Sequence, residues 1–143
     1  MDALARCALT LAILALALPA GAAQWKQLGK SRAGELWIDQ ASITHSEGEA
    51  KLDYRVDFAR PQRELETNTP YRSVVSRAII RCASRTISMG PSTAYEKPRA
   101  TGKKIGEYPP APEEVRFQPI EPHSSDEDLW RHVCKTASVT PKK

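Results

Sequence analysis

The sequence predicts an α+β domain: an antiparallel sheet, a single C-terminal helix docked on it, and one disulfide between the two. Three observations lead there. Residues 50–58 (AKLDYRVDF) alternate apolar and charged side chains without a break, the period of a strand with one buried face. Residues 124–135 (SSDEDLWRHVCK) carry the polarity signals of a short helix. The two cysteines outside an apolar N-terminal segment, Cys82 and Cys134, fall one on a strand pattern and one on that helix.

Residues 1–22 read as a secretory signal. Arg6 gives a short positive start, residues 8–18 are apolar except for Thr10, and Pro19 is followed by small residues that favour cleavage after Ala22. The apolar run is shorter than the ~20 residues that span a bilayer, so no membrane span is expected. Cys7 precedes that run and is not a lipidation cysteine at its end, so the exported chain is expected to carry no lipid anchor and to work in the periplasm, in the medium or at the cell surface. About 120 residues then remain, one domain's worth. They divide into a domain over 23–138 and a disordered tail over 139–143. Export delivers Cys82 and Cys134 to an oxidising compartment, where an even count argues for pairing.

Along the mature chain, QWKQLG opens with Trp25 and Leu28 as an edge or lead-in strand. ELWID (35–39) and SITH (42–45) read as extended pieces. SEGE (46–49) supplies a turn in which Gly48 takes a positive φ, giving a hairpin into residues 50–58. There Lys51, Asp53, Arg55 and Asp57 are expected on a solvated face. Residues 59–70, polar and flanked by prolines, read as a connection. YRSVVSRAIIRC then puts Val74, Ser76, Ala78, Ile80 and Cys82 on a core face. SRTISMG reads as the next strand, stopped by Gly90 and Pro91. Seven prolines in residues 91–122 leave room only for short strands, with KKIGEY and EVRFQPI as the candidates. Ser124 and Glu127 form a capping box, acidic residues sit in the first turn, and Trp130, Val133, Cys134 and Ala137 share a stripe. Cys134 thereby faces the sheet and an inward Cys82.

Composition narrows function more by exclusion than by assignment. The net charge is +4, a mild bias toward anionic partners, while the export signal argues against nucleic acid. The three histidines, His45, His123 and His132, lack metal-ligand spacing, and no phosphate-cradling glycine loop or nucleophile elbow is present. No metal, cofactor or catalytic residue is therefore expected. The candidate binding surface is the segment with Lys97, Arg99, Lys103 and Lys104, which has no acidic residue between its cations and is flanked by Tyr95 and Tyr108. The alternative is a small secreted hydrolase in which His45 converges with His123 or His132 as a general acid–base pair.

The strings WKQLG at Trp25, ELWIDQASI at residues 35–43, CASRTIS at 82–88, the central Gly90, FQPIEPHS at 117–124 and LWRHVC at 129–134 together resemble the surface-adhesin protein E-like family, over nearly the whole mature chain. The resemblance implies an antiparallel sheet of about six strands packed against a C-terminal helix, without cofactor or catalytic residues. It also implies a bacterial envelope protein that binds through its surface, with a host extracellular-matrix protein as partner; the cationic segment, read by itself, adds an anionic envelope polymer as the other partner expected.

Overall fold

The computed structural model describes residues 21–136, so the expected signal up to Ala20 and the tail at 139–143 lie outside the described residues. The elements are β1 (Trp25–Lys30), β2 (Gly34–Asp39), β3 (Thr44–Ser46), β4 (Glu49–Arg63), β5 (Pro70–Arg81), β6 (Thr86–Lys97), β7 (Thr101–Tyr108), β8 (Gln118–Pro119) and α1 (Ser125–Thr136). The strands form one antiparallel sheet in the order β1-β2-β4-β5-β6-β7, with β3 pairing β4 and β8 pairing β6. The expected antiparallel sheet, C-terminal helix and Cys82–Cys134 disulfide are all present.

The alternation in β4 sets the core. Ala50, Leu52 and Tyr54 are buried on one face, beside Leu36 and Ile38 of β2, Ala78 and Ile80 of β5, and Ile87 of β6. Helix α1 closes this face through Leu129 and Val133, both fully buried, with Trp130 and Cys134 packed at the margin. Leu129, four residues before Val133 and as fully buried, is an anchor that the stripe read from the sequence omits. Ala137 lies outside the described residues. The helix start is the expected capping box: the Glu127 amide donates to Ser124 Oγ (3.2 Å), and Glu127 Oε2 accepts from the His123 amide (2.8 Å).

The β3–β4 hairpin turns through Glu47 and Gly48, both at positive φ (51° and 80°), the backbone of the two-residue turn that suits twisted strands. Residues 40–42 form a 3-10 turn, so SITH contributes only its second half to β3. Two segments continue where the sequence suggested a stop. Strand β4 runs on to Arg63 because a wide bulge between Asp57 and Gln62 absorbs Pro61, which has no ladder donor to give. Strand β6 passes through Gly90 and Pro91 by another bulge, opposite Arg77. There a Cβ on Gly90 would stand 3.1 Å from the Arg77 carbonyl oxygen. EVRFQPI, by contrast, yields only the two-residue β8.

Inside the core, burial pushes the Tyr54 phenol up to about 12, with its hydroxyl directed at Met89 Sδ. A phenol raised in the folded state contributes stability that is intact below its ordinary value of 10 and is lost as pH rises from 10 to 12. At pH 11 the expected loss is on the order of 1 kcal/mol. Urea unfolding at pH 8 and pH 11 should show this loss in the wild type and a flatter response in Tyr54→Phe. An equal alkaline loss in both proteins would assign it to other groups.

Candidate anion-binding surface

The face of the sheet turned away from α1 is not the fully solvated one expected from the charges of β4. Lys51 is exposed and Asp53 pairs with Arg77 (2.9 Å), but Arg55 and Asp57 are buried, 3 % and 8 % exposed. The cause is long-range. Trp25 of β1 and Trp37 of β2 both lie against the Arg55 guanidinium, at 4.6 and 5.2 Å to the ring centroids, two cation–π contacts that strip water from the charge. Arg55 Nη2 donates to Asp57 Oδ2 (3.0 Å), and the tip of the β6–β7 hairpin covers Asp57 from the other side.

That tip is a 3-10 turn, Pro98–Ala100, in which Arg99 and Ala100 take left-handed backbone angles (φ 64° and 55°). Non-glycine residues resist this region, so the turn needs outside support. The Arg99 amide donates to Asp57 Oδ1 (2.8 Å), the Ala100 amide to Ser73 Oγ (3.0 Å), and the Ser73 hydroxyl to the Lys97 carbonyl (2.6 Å). Ser73 is fully buried. Asp57 and Ser73 thus latch the cationic hairpin to the sheet.

The expected binding residues distribute unevenly on this latched hairpin. Lys97, Arg99, Lys103 and Lys104 are all exposed around the tip and along β7. Tyr95 stands opposite Lys104 in the ladder, and Ser92 stands opposite Tyr108. Tyr95 follows the register of Ser73, while Ser92 follows that of Ser76 on the core face. Tyr95 and Tyr108 therefore lie on opposite faces of the sheet. The Tyr108 ring folds back over Gly106, where a Cβ would collide with its hydroxyl, and borders a cleft with Arg63, Leu65 and Tyr71. Two acids missing from the 97–104 interval enter in space. Glu107 accepts from Lys104 Nζ (2.9 Å), which raises the lysine's pKa and lowers the carboxyl's, and Glu96 Oε2 accepts from the Lys103 amide (3.3 Å). Lys97, Arg99 and Lys103 make no ion pair among the described residues.

His45 and His123 lie toward opposite ends of α1. His45 Nε2–H donates to the Val133 carbonyl near the end of α1 (2.9 Å), while His123 precedes the helix at its other end. Eight residues of helix between Ser125 and Val133 correspond to about 12 Å of axis. His132, partly buried and near Lys26, has a lowered pKa, burial being the larger cause. No group of three metal-ligating side chains occurs among the described residues.

The latch residues could not be picked out from sequence, since Asp57 and Arg99 are 42 positions apart. The one local cue was an Asp on the outer face of a strand beside an Arg two residues earlier.

With this geometry in hand, the comparisons with known proteins are consistent in direction. Crystal form II of Haemophilus influenzae protein E superposes with a TM-score of 0.58 at 17% identity, covering 72% of this chain and 82% of that one. Protein E from non-typeable Haemophilus influenzae gives 0.58 at 15% identity, covering 78% and 77%. At such identities the likeness is one of fold. No curated protein sequence matches the chain. The family model described as surface-adhesin protein E matches residues 25–135, a span that starts at the tryptophan stacked on Arg55 and ends one residue past the disulfide, and on that match the chain belongs to the surface-adhesin protein E family.

Proposed function

We propose that this chain is an exported, non-enzymatic binding domain of the bacterial envelope, adhesin-like in its use of an exposed surface, and that the β6–β7 hairpin is that surface. The partner class is an anionic envelope polymer or an acidic region of a host extracellular-matrix protein. The observation that carries the reading is the hairpin tip, where Lys97, Arg99 and Lys103 are exposed and make no ion pair among the described residues, on a turn fixed by Asp57 and Ser73. Pre-ordering matters because a frayed loop would lose much of its electrostatic attraction to the entropy of being ordered on contact. Family membership supports the adhesin-like part of the proposal.

The expected result is salt-sensitive binding. Exposed charges act over the Debye length, which falls from about 10 Å at 0.1 M salt to about 3 Å at 1 M. Lys103→Glu with Lys104→Glu should sharply reduce binding to an immobilised acidic polymer in surface plasmon resonance at low salt. The melting temperature should barely move, because both side chains are exposed and the one ion pair, Lys104–Glu107, is at the surface. Equal, salt-independent binding by wild type and double variant would place recognition elsewhere.

A further inference from the structure

Arg99 belongs to a second grouping that no stretch of sequence reveals. Its turn closes over an open cleft of about 320 Å³, whose far wall is the β1–β2 turn carrying Lys30 and whose floor is β4 at Asp57 and Phe58, with Arg72 of β5 alongside. Three cations from three separate segments, Lys30, Arg72 and Arg99, therefore line one cavity. Two carboxylates line it as well, yet both are already engaged. Glu35 takes Lys30 Nζ at 3.2 Å, and Asp57 has one oxygen on Arg55 and the other on the Arg99 amide.

The remaining positive charge is the informative part. Arg72 donates through Nε to the Phe58 carbonyl (3.2 Å) and through Nη2 to the Ala59 carbonyl (3.4 Å). Neutral carbonyls hold its guanidinium in place without cancelling its charge. Neither Arg72 nor Arg99 forms an ion pair among the described residues. The cleft is built close: a Cβ on Gly34 would collide with the Asp57 carbonyl oxygen, so only glycine lets the β1–β2 turn approach β4 this tightly.

From this we infer that the cleft is a subsite for one oxyanion-bearing sugar unit of an acidic glycan. The sulfate or carboxylate would be held between Arg72 and Arg99, and the C–H face of the ring would lie against Phe58 and Pro98. Guanidinium groups suit oxyanions because their fork of donors matches two oxygens at once. The cavity is at the lower end of the roughly 300–1,000 Å³ common for small-ligand sites, the size of a sugar unit and not of a folded epitope. The inference rests on the hairpin being an anion-binding surface and gives that surface a defined pocket.

The experiment is an amide-resonance titration of the full mature protein at constant ionic strength with four probes: a sulfated disaccharide, a uronate disaccharide, inorganic sulfate and an acidic peptide. Saturable shifts at residues 30–35, 57–59, 72 and 99–100 are expected with one or both disaccharides, and the stronger one identifies the oxyanion. Arg99→Gln should weaken that affinity by about tenfold or more, the scale of a lost charged hydrogen bond. Arg72→Lys keeps the charge but loses the fork, and should weaken it too. Shifts caused equally by inorganic sulfate, by the acidic peptide alone, or by no probe would overturn the glycan subsite. If polymer binding persists and depends on Lys103 and Lys104 while the disaccharides give no shifts, the pocket fails and the hairpin reading stands. If Lys103→Glu with Lys104→Glu leaves polymer binding unchanged while the disaccharides still shift the cleft, the pocket stands and the hairpin tip is not the wider surface.

Discussion

Cys134→Ser should lower the stability of the folded domain by about 4 kcal/mol, the chain-entropy value for a closed loop of this length. The bond joins residues 52 apart. Everything from the end of β5 to α1 lies in that loop, including β6, the cationic hairpin and β8. Without the bond the helix keeps its own anchors, because Leu129 and Val133 remain buried against the sheet and Trp130 Nε1 still donates to the Cys82 carbonyl (3.2 Å). Arg85 also stays paired with Glu127 (2.9 Å) and stacked over Trp130 (4.4 Å). The variant should therefore fold, with a lower urea midpoint and faster amide exchange in α1 than in β4 and β5. Small domains have about 5–15 kcal/mol in total, so a loss of this size would put the variant near the lower edge. Reduction of the wild type should reproduce the effect. A change below about 1 kcal/mol would mean that helix docking, and not loop closure, holds this end of the molecule.

What could be read from the sequence was whatever depends on neighbours a few positions apart. The alternation of Ala50, Leu52 and Tyr54, the positive φ of Gly48, and the Ser124–Glu127 box all act within a strand, a turn or one helical turn, and each is in place. The failures share a different cause. Arg55 and Asp57 look solvated on their own strand and become buried only when two tryptophans and a hairpin tip arrive from β1, β2 and β6–β7. Gly90–Pro91 and Pro61 look like stops because proline removes a ladder donor, yet at a bulge no donor is required. The same limit hid part of the site. Lys97 to Lys104 is a visible cluster, whereas Lys30, Arg72 and Arg99 meet only through the sheet.

Asp57→Ala should cost about 3–5 kcal/mol, the usual penalty for removing one partner of a buried ion pair. Arg55, 3 % exposed and packed against two indoles, would be left with its charge uncompensated, and its Nε has no hydrogen-bond partner even now. The Arg99 amide would also lose its acceptor, so the left-handed tip would rest on Ser73 alone. Stability and latching can be separated. Arg55→Met with Asp57→Leu removes both charges and refills the space, and well-packed apolar replacements of buried pairs are often neutral. That double variant should regain most of the lost stability, since the flexible methionine thioether packs well against the Trp25 and Trp37 rings. It should not regain the latch, because leucine offers the Arg99 amide nothing. Two measurements decide the case: urea unfolding for stability, and hydrogen exchange at the Arg99 and Ala100 amides for the tip. A double variant that is stable, exchanges rapidly at both amides and binds acidic polymer more weakly than wild type would tie the buried pair to recognition through the fixed hairpin. If it is stable and binds with wild-type affinity, the buried pair serves the fold alone and the hairpin needs no latch.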